Sequence, residues 1–330
     1  MDTQDKTPQI SVVVPFYNEE DNVEELHRRL SRVLQEEHQS YEIVFIDDGS
    51  TDGTNAILTK LFSEDESLKV IRLRKNFGQT AALQAGFDHA RGEIIISMDG
   101  DLQHDPEDIP LFLAKMKEGY DIVSGWRKRR KDHFLMRRFP SWVANRIMRM
   151  LSGVKIHDFG TTFKAYRKDV LEGVKLYGEL HRFIPALISR TGVTITEVPI
   201  KNIVRQKGKS KYGLSRVRRV FFDLMTVKFI ISFIDRPLQF FGLIGLVLGG
   251  IGFVIGLVLT LGFYIAGWSI RDNLGNLILA VFLMILGLQF VMTGLLAEII
   301  SRIYFTTHEM RIYSIREIQS HPDAGAESGV

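Results

Sequence analysis

The sequence predicts an α/β domain with a mostly parallel sheet, followed by amphipathic membrane-interface helices and a two-helix transmembrane hairpin. Short β-branched runs alternate with segments of helical spacing up to Met98, which is typical of a parallel sheet covered by helices on both faces. Nearer the C-terminus, Pro237 to Ile270 and Asn273 to Ala297 contain no Asp, Glu, Lys or Arg. Each of these two stretches is long enough to cross a bilayer.

The strands and helices of the soluble part are predicted to follow a regular order. Strands are expected over Ile10 to Pro15, Tyr41 to Ile46, Lys69 to Leu73 and Glu93 to Met98. Helices are expected over Asn18 to Gln35, Thr54 to Phe62 and Thr80 to Ala90. Ligands of such sheets bind beyond the carboxyl ends of the strands. Three polar clusters should therefore meet at one edge, namely Pro15 to Glu19, Asp47 to Asp52 and Asp99 to Gln103.

Asp99, Asp101 and Gln103 follow the fourth predicted strand directly. In an extended segment alternate residues point to the same side, so two carboxylates and an amide oxygen would face one cation. Oxygen ligands suit Mg²⁺ or Mn²⁺. A bare Asp-x-Asp also occurs in ordinary acidic turns, so this pattern alone leaves both interpretations open.

The two uncharged stretches predict transmembrane helices over about 238–266 and 275–300, within a membrane region of residues 237–303. They contain 34 and 25 residues, longer than the usual helix of a soluble core, which is the alternative interpretation. The turn between them, Arg271 to Asn276, is short and polar. Lys and Arg flank the hairpin outside this turn, so we expect the large domain and both termini, including a tail over 304–330, in the cytoplasm.

Basic segments lie next to the predicted membrane region. Leu214 to Ile234, within a region of residues 211–236, has apolar and basic residues at helical spacing, which is typical of a helix in the headgroup plane. Phe134 to Leu151 is a second candidate of this kind. Ordinary packing against the soluble domain is the alternative for the first segment. The basic runs that begin at Arg127 and Arg205 are expected to face phosphate on a lipid or a nucleotide.

Composition excludes several kinds of chemistry. The 330 residues contain no cysteine and carry a formal net charge of +3. Disulfides, thiolate metal sites and cysteine nucleophiles are therefore excluded. The N-terminus lacks the basic and apolar regions of a signal peptide, so the internal helices are expected to provide the attachment to the bilayer.

Five ordered sequence blocks carry a resemblance to a known family. They are VVVPFYNEEDNV (12–23), VFIDDGSTDGT (44–54), LRKNFGQTAALQAGFDHARGE (73–93), MDGDLQHDPE (98–107) and DFGTTFKAYRKDVL (158–171). With them the chain resembles family 2 glycosyltransferases of the polyprenyl-phosphate hexosyltransferase type, a group that includes dolichol-phosphate mannose synthases and bacterial undecaprenyl-phosphate glucosyltransferases.

The resemblance implies a GT-A nucleotide-sugar-binding domain, Rossmann-like, over residues 1–210. It implies a metal-dependent, inverting transfer of a hexose to polyprenyl phosphate at the bacterial inner membrane, by a tetramer that binds no nucleic acid. UDP-glucose is the expected donor, and GDP-mannose is the alternative. A processive polysaccharide synthase is disfavoured because no Trp follows an Arg in the sequence. A non-catalytic membrane scaffold is disfavoured because Asp99, Asp101 and Gln103 are all present.

The resemblance also assigns roles to individual residues. Those expected at the nucleotide sugar are Pro15, Tyr17, Glu19, Asp47, Asn76, Gln79, Asp99 and Asp101. The expected metal ligands are Asp99, Asp101 and Gln103. For the loop after the first strand, helix capping by Asn18 is the alternative interpretation.

A second set of residues is expected to act on the acceptor and the departing nucleotide. The acceptor phosphate is expected at Arg127, Arg138, Ser210 and Lys211. Arg205 and Lys211 belong to a mobile basic segment that closes over the diphosphate. Asp158 is expected to activate or position the acceptor, although a structural turn before Phe159 and Gly160 explains an aspartate there almost as well.

Overall fold

The computed structural model describes residues 7–128, 145–146, 148–150, 152–172, 174, 176, 180–189, 192–201, 203, 237–306 and 312–321. These residues fall into two compact units. The first unit combines residues 1–227 with 311–330, and the second contains residues 228–310. Both predicted interface helices lie wholly or mostly outside the described residues.

One mixed sheet organises the first unit. Its strands are β1 (Ile10–Phe16), β2 (Tyr41–Asp47), β3 (Leu68–Leu73), β4 (Ile94–Ser97), β5 (Ile122–Trp126), β6 (Lys164–Arg167), β7 (Ile195–Pro199) and β8 (Ile315–Gln319). Their order across the sheet is β7-β5-β6-β4-β1-β2-β3-β8. β1 pairs in parallel with β2 and β4, β2 with β3, and β5 with β7. β6 and β8 run antiparallel to their neighbours.

Helices cover both faces of this sheet. They are α1 (Val23–Glu36), α2 (Thr54–Glu64), α3 (Gln79–His89), α4 (Ile109–Lys117) and the single-turn helices α5 (Lys168–Leu171) and α6 (Ile184–Leu187). Val12 of β1 packs in one core with Leu30 of α1, whereas Val13 packs in the other core with Ala82 of α3. The prediction of strands buried on both faces is confirmed.

The first helix begins later than predicted. We expected a helix from Asn18, but α1 starts at Val23 and Asn22 is its N-cap residue. Asn18 adopts a left-handed conformation with φ of 55°, which asparagine tolerates better than most residues. The capping alternative for Asn18 is therefore wrong, and residues 17–22 form a loop at the end of β1.

The C-terminal segment returns to the sheet, which the sequence analysis did not predict. β8 pairs antiparallel with β3. The Tyr313 hydroxyl donates to Asp88 of α3 at 2.7 Å, and the His321 ring stacks on Phe62 of α2. The end of the chain is therefore part of the same folded unit as its beginning.

The second unit is a helical hairpin of α7 (Pro237–Ala266) and α8 (Leu274–Thr306). Glycines line the contact, and a Cβ atom on Gly245 would lie 2.5 Å from the Gly287 carbonyl oxygen. In the most apolar 18-residue segment of each helix, only 11% and 17% of the residues are buried. This contradicts the alternative that the two helices form the core of a soluble protein. By length and composition both helices fit a membrane protein.

Candidate functional site

The loops that follow β1 and β2 are joined by hydrogen bonds. The Asn18 amide donates to Ser50 Oγ at 3.0 Å, and the Thr51 amide donates to Asn18 Oδ1 at 2.8 Å. The Gly53 amide donates to Glu20 Oε2 at 2.7 Å. Because β1 and β2 are parallel neighbours, these loops form one continuous rim at the carboxyl end of the sheet.

Three of the predicted nucleotide-binding residues lie near the end of β1 or on the loop that follows it. Pro15 is half-buried, whereas Tyr17 is 41% exposed and therefore offers an open aromatic face. The Glu19 amide donates to Thr54 Oγ1 at 3.0 Å, and its carboxylate accepts from the Asn22 side chain. Glu19 thus also fixes the entry to α1.

Asp47 ends β2 and is completely buried. Its Oδ1 accepts from the Ser50 amide at 2.8 Å. Its Oδ2 has no hydrogen-bond partner among the described residues and lies 3.7 Å from Arg72 Nε. A buried carboxylate oxygen without a hydrogen bond is costly. Recognition of a base by Asp47 stays a prediction.

Asp48 was not among the predicted site residues, yet it organises the loop before α3. Its two oxygens accept from the amides of Phe77 and Gly78 at 2.8 and 2.9 Å. Burial raises the pKa of Asp48 to about 6, although these two donors act in the opposite direction. Asp48 therefore connects the end of β2 to the segment that carries Asn76, which is exposed, and Gln79.

Gly49 lies so close to the backbone of Lys75 that only glycine fits at this position. Its φ is +69°, and a Cβ atom there would lie 2.5 Å from the Lys75 carbonyl carbon. Gly119 has a φ of +95° but open space around a Cβ atom. We expect Gly49→Ala to lower the free energy of unfolding by about 1–3 kcal/mol more than Gly119→Ala. Chemical denaturation of both variants checks this, and equal losses would contradict the steric explanation.

Gln79 contacts the end of the next strand. It is the first residue of α3, and its Nε2 donates to Asp99 Oδ1 at 2.5 Å. The segment after β3 and the segment after β4 therefore meet at Asp99. Two residues that the sequence analysis assigned to the nucleotide sugar are thus in direct contact.

The segment from Asp99 to Gln103 is a bend, not the extended segment that we predicted. Leu102 is left-handed with φ of 58°, a conformation that is strained for a bulky residue. This reversal lets Asp101 Oδ1 and Oδ2 accept from the backbone and side-chain amides of Gln103 at 3.1 and 2.5 Å. The alternation of side chains along an extended strand therefore does not explain how Asp101 and Gln103 come together.

The residues of this bend fit a hard divalent cation by their chemistry. Within the described part of the chain, no three His, Cys, Asp or Glu side chains are grouped so that they could hold a metal. The donor set would consist of the Asp99 and Asp101 carboxylates and the Gln103 amide oxygen, which are all oxygen ligands. Gln103 would have to turn its amide, since its nitrogen now contacts Asp101.

Arg127 and Asp158, predicted separately, form one ion pair. Arg127 Nε and one terminal nitrogen donate to the two Asp158 oxygens at 2.7 and 3.1 Å. The Gly160 amide also donates to Asp158 Oδ1 at 3.1 Å. The side chains are 15% and 5% exposed, so this is a largely buried bidentate pair.

His104, which was not predicted, connects two parts of the site. It is 2% exposed, and burial together with the Arg127 charge lowers its pKa to about 4. Its Nδ1 lies 3.4 Å from the Asp99 amide, and its Nε2 lies 3.4 Å from Thr161 Oγ1. The ring is therefore neutral, with Nδ1 as acceptor and the proton on Nε2.

Asp99 lies in the field of several cations. Burial raises its pKa above the usual value, and this outweighs the Thr162 hydroxyl and the charges of Arg127, Arg182 and Lys164, which act in the opposite direction. Arg182 follows His181, whose Nδ1 contacts Thr80 Oγ1 of α3 at 2.7 Å. Arg182 and Lys164 were not predicted, although Lys164 lies in one of the five blocks.

Four predicted residues, Arg138, Arg205, Ser210 and Lys211, lie outside the described residues. The last described residue before the basic segment is Ile203, whose amide donates to the Gln103 carbonyl at 3.1 Å. This hydrogen bond places Ile203, two residues before Arg205, at the Asp99–Gln103 bend.

Comparison with known proteins identifies the family and the fold. A family model described as "Glycosyl transferase family 2" matches residues 11–174. A dodecaprenyl-phosphate galacturonate synthase of Rhizobium johnstonii is 41% identical over 316 residues, which are 94% of this chain and 93% of the relative. An undecaprenyl-phosphate 4-deoxy-4-formamido-L-arabinose transferase of Shewanella sediminis is 37% identical, over 94% of this chain and 92% of the relative.

Solved structures share the fold. Glucosyl-3-phosphoglycerate synthase of Mycobacterium tuberculosis, in complex with Mn²⁺, UDP-glucose and phosphoglyceric acid, superposes with a TM-score of 0.53 at 18% identity. The match covers 68% of this chain and 80% of that chain. The predicted GT-A fold is confirmed.

Proposed function

Because the chain belongs to glycosyl transferase family 2, we propose that it transfers a sugar from a nucleotide sugar to a polyprenyl phosphate. The observation that carries this proposal is the 41% identity to a polyprenyl-phosphate sugar synthase along 94% of the chain. The site supports it. Hydrogen bonds join the loops after β1 and β2, and they join the segments after β3 and β4, along a rim that carries carboxylates and cations. The nucleotide sugar is expected to bind along this rim.

The donor sugar that we rank first is UDP-galacturonate. The sequence analysis predicted UDP-glucose, with GDP-mannose as the alternative, but the two relatives above are named for galacturonate and a formamido-arabinose. UDP is retained as the proposed nucleotide, as the resemblance implies.

Divalent metal dependence is part of the proposal. Asp99, Asp101 and Gln103 would hold Mg²⁺ or Mn²⁺. A bound ion would neutralise the diphosphate charge of the donor. The solved structure that shares the fold was determined with Mn²⁺ bound, and the oxygen donor set of the bend agrees with such an ion.

The transfer that we propose is a single displacement. An oxygen of the acceptor phosphate attacks the anomeric carbon, the bond to the nucleotide diphosphate breaks, and the configuration inverts. The second pKa of such a phosphate is about 6, so it is already an oxyanion at neutral pH and needs no strong base. Both oxygens of Asp158 are engaged by Arg127. We therefore assign Asp158 to positioning Arg127 for the acceptor phosphate.

The proposed location is the bacterial inner membrane, with both termini in the cytoplasm. Residues 1–227 and 311–330 share one folded unit, so the chain must cross a bilayer an even number of times between them. The hairpin α7–α8 provides two such crossings. The excess of Lys and Arg next to the hairpin supports the cytoplasmic side. A tetramer remains a proposal, which light scattering in detergent would test.

The experiment is a transfer assay with purified full-length protein. UDP-galacturonate, UDP-glucose and GDP-mannose are each offered with undecaprenyl phosphate and Mn²⁺, and the product is identified by mass spectrometry. We expect a polyprenyl-phosphate sugar, formed fastest from UDP-galacturonate, and none in excess EDTA. Faster transfer from another donor would refute the ranking, and no lipid product from any of the three would refute the proposed function.

A further inference from the structure

Lys164 is a fully buried lysine that the mechanism above does not use. It is 0% exposed and opens β6. In the sheet it pairs with Ser97 of β4 and Ser124 of β5. β4 leads to Asp99 and β5 leads to Arg127, so Lys164 lies between the strands that deliver both residues. A lysine is almost never fully buried unless it is paired.

The partners of Lys164 are backbone carbonyls in the segment that follows Asp158. Its Nζ donates to the Phe159 carbonyl at 3.3 Å and, at shorter range, to the Thr161 carbonyl. Residues 158–163 belong to no strand or helix, so their carbonyls need donors from elsewhere.

Neighbouring strands complete the anchoring of this segment. Ser97 Oγ donates to the Thr162 carbonyl at 2.6 Å, and the Gly125 amide donates to the Phe163 carbonyl at 2.9 Å. The hydrogen bonds from Lys164, to the Phe159 and Thr161 carbonyls, hold the end of this segment that follows Asp158 directly in sequence. Without its ammonium, two carbonyls among fully buried residues would lose a charged donor.

The charge of Lys164 is coupled to the site. Burial lowers its pKa to about 7, Asp158 and Asp99 raise it, and Arg127 and Arg182 lower it further. In return, Lys164 is one of the cations that lower the pKa of Asp99. Deprotonation of Lys164 would therefore remove a positive charge that acts on both Asp158 and Asp99.

We propose that Lys164 is a positioning residue for sugar transfer: its ammonium fixes the Phe159–Thr161 backbone and so holds Asp158 and its partner Arg127 beside Asp99. This inference rests on the proposed function. Lys164 does not touch substrate in this proposal, because its donors are used by the backbone.

The test compares Lys164→Met and Lys164→Arg with Lys168→Met as the matched control. Lys168 lies four residues further along, and its Nζ is 3.5 Å from the Arg91 carbonyl. We expect Lys164→Met to lower kcat by about 10- to 100-fold with a change in the KM for nucleotide sugar of less than about threefold. Lys168→Met should keep wild-type kinetics.

The pH profile separates this role from a merely structural one. In the wild type, kcat should fall as pH rises through about 7, where Lys164 loses its proton. Lys164→Arg keeps its charge at every accessible pH, so this fall should move to higher pH by at least about 1 unit. Circular dichroism at each pH confirms that the fold is retained.

The kinetics of these variants test the role of Lys164 separately from the proposed function. Wild-type kcat in Lys164→Met, or a pH profile unchanged in Lys164→Arg, would overturn it while the wild type still transfers sugar. If Lys164→Met does not fold, the profile of Lys164→Arg decides. A wild type that transfers no sugar overturns the proposed function instead.

Discussion

Asp101→Asn is expected to lower the rate of sugar transfer by at least about 100-fold. The substitution removes one of the two carboxylates in the proposed donor set but keeps the size of the side chain. Since Asp101 now accepts two hydrogen bonds from Gln103, an amide at this position would also disturb the bend. The measurement is transfer of the donor sugar to undecaprenyl phosphate across a titration of Mn²⁺.

Asp169→Asn provides the matched control for this variant. Asp169 is exposed on the short helix α5, and its carboxylate accepts from the amide of Val170, away from the Asp99–Gln103 bend in sequence. The rate of sugar transfer by Asp169→Asn, and its dependence on Mn²⁺, should equal those of the wild type. A wild-type rate in Asp101→Asn at every Mn²⁺ concentration would contradict the metal assignment, as would full wild-type activity in excess EDTA.

The second large effect is expected at the ion pair of Arg127 and Asp158. Arg127→Met leaves a carboxylate that is only 5% exposed without its bidentate partner. Breaking a buried pair in this way costs about 3 kcal/mol of the free energy of unfolding. Transfer should fall by at least about 100-fold as well, because the guanidinium is proposed to meet the acceptor phosphate. Denaturant unfolding and the transfer assay measure the two effects.

A double-mutant cycle distinguishes the two roles that the sequence analysis left open for Asp158. If Asp158 only positions Arg127, Asp158→Asn should add little further loss of kcat in the Arg127→Met background. An independent catalytic base would lower kcat by a similar factor in both backgrounds, which would refute positioning. The exposed pair of Lys60 and Glu24, at 3.4 Å, provides a control in which Lys60→Met changes little.

The central part of the fold was predictable because local signals and tertiary structure agree there. β1 to β4 are short apolar runs, and the structure reproduces each within about two residues. β6 has only four residues and contains a lysine and an arginine, so its sequence carries no clear strand signal. β8 is an edge strand whose partner β3 lies more than two hundred residues earlier in the sequence, and no local pattern indicates that pairing.

The site was predictable in its position but not in its contacts. The rule that ligands meet at the carboxyl ends of parallel strands placed Asp47, Asp99 and Asp101 correctly at the rim. The left-handed Leu102 and the pairing of Arg127 with Asp158 depend on tertiary packing. Lys164 and His104 would normally be taken as solvated side chains, and only the three-dimensional structure shows that they are buried.

The position of β8 at the end of the chain sets the order in which the protein can be completed. A ribosome must make both apolar helices before it makes the segment that covers β3, so the nascent sheet has an open edge while the hairpin is synthesised. Such an edge is prone to pair with other chains. Completion of the sheet therefore follows synthesis of the apolar hairpin, and a ribosome that stalls after α8 would leave an aggregation-prone chain.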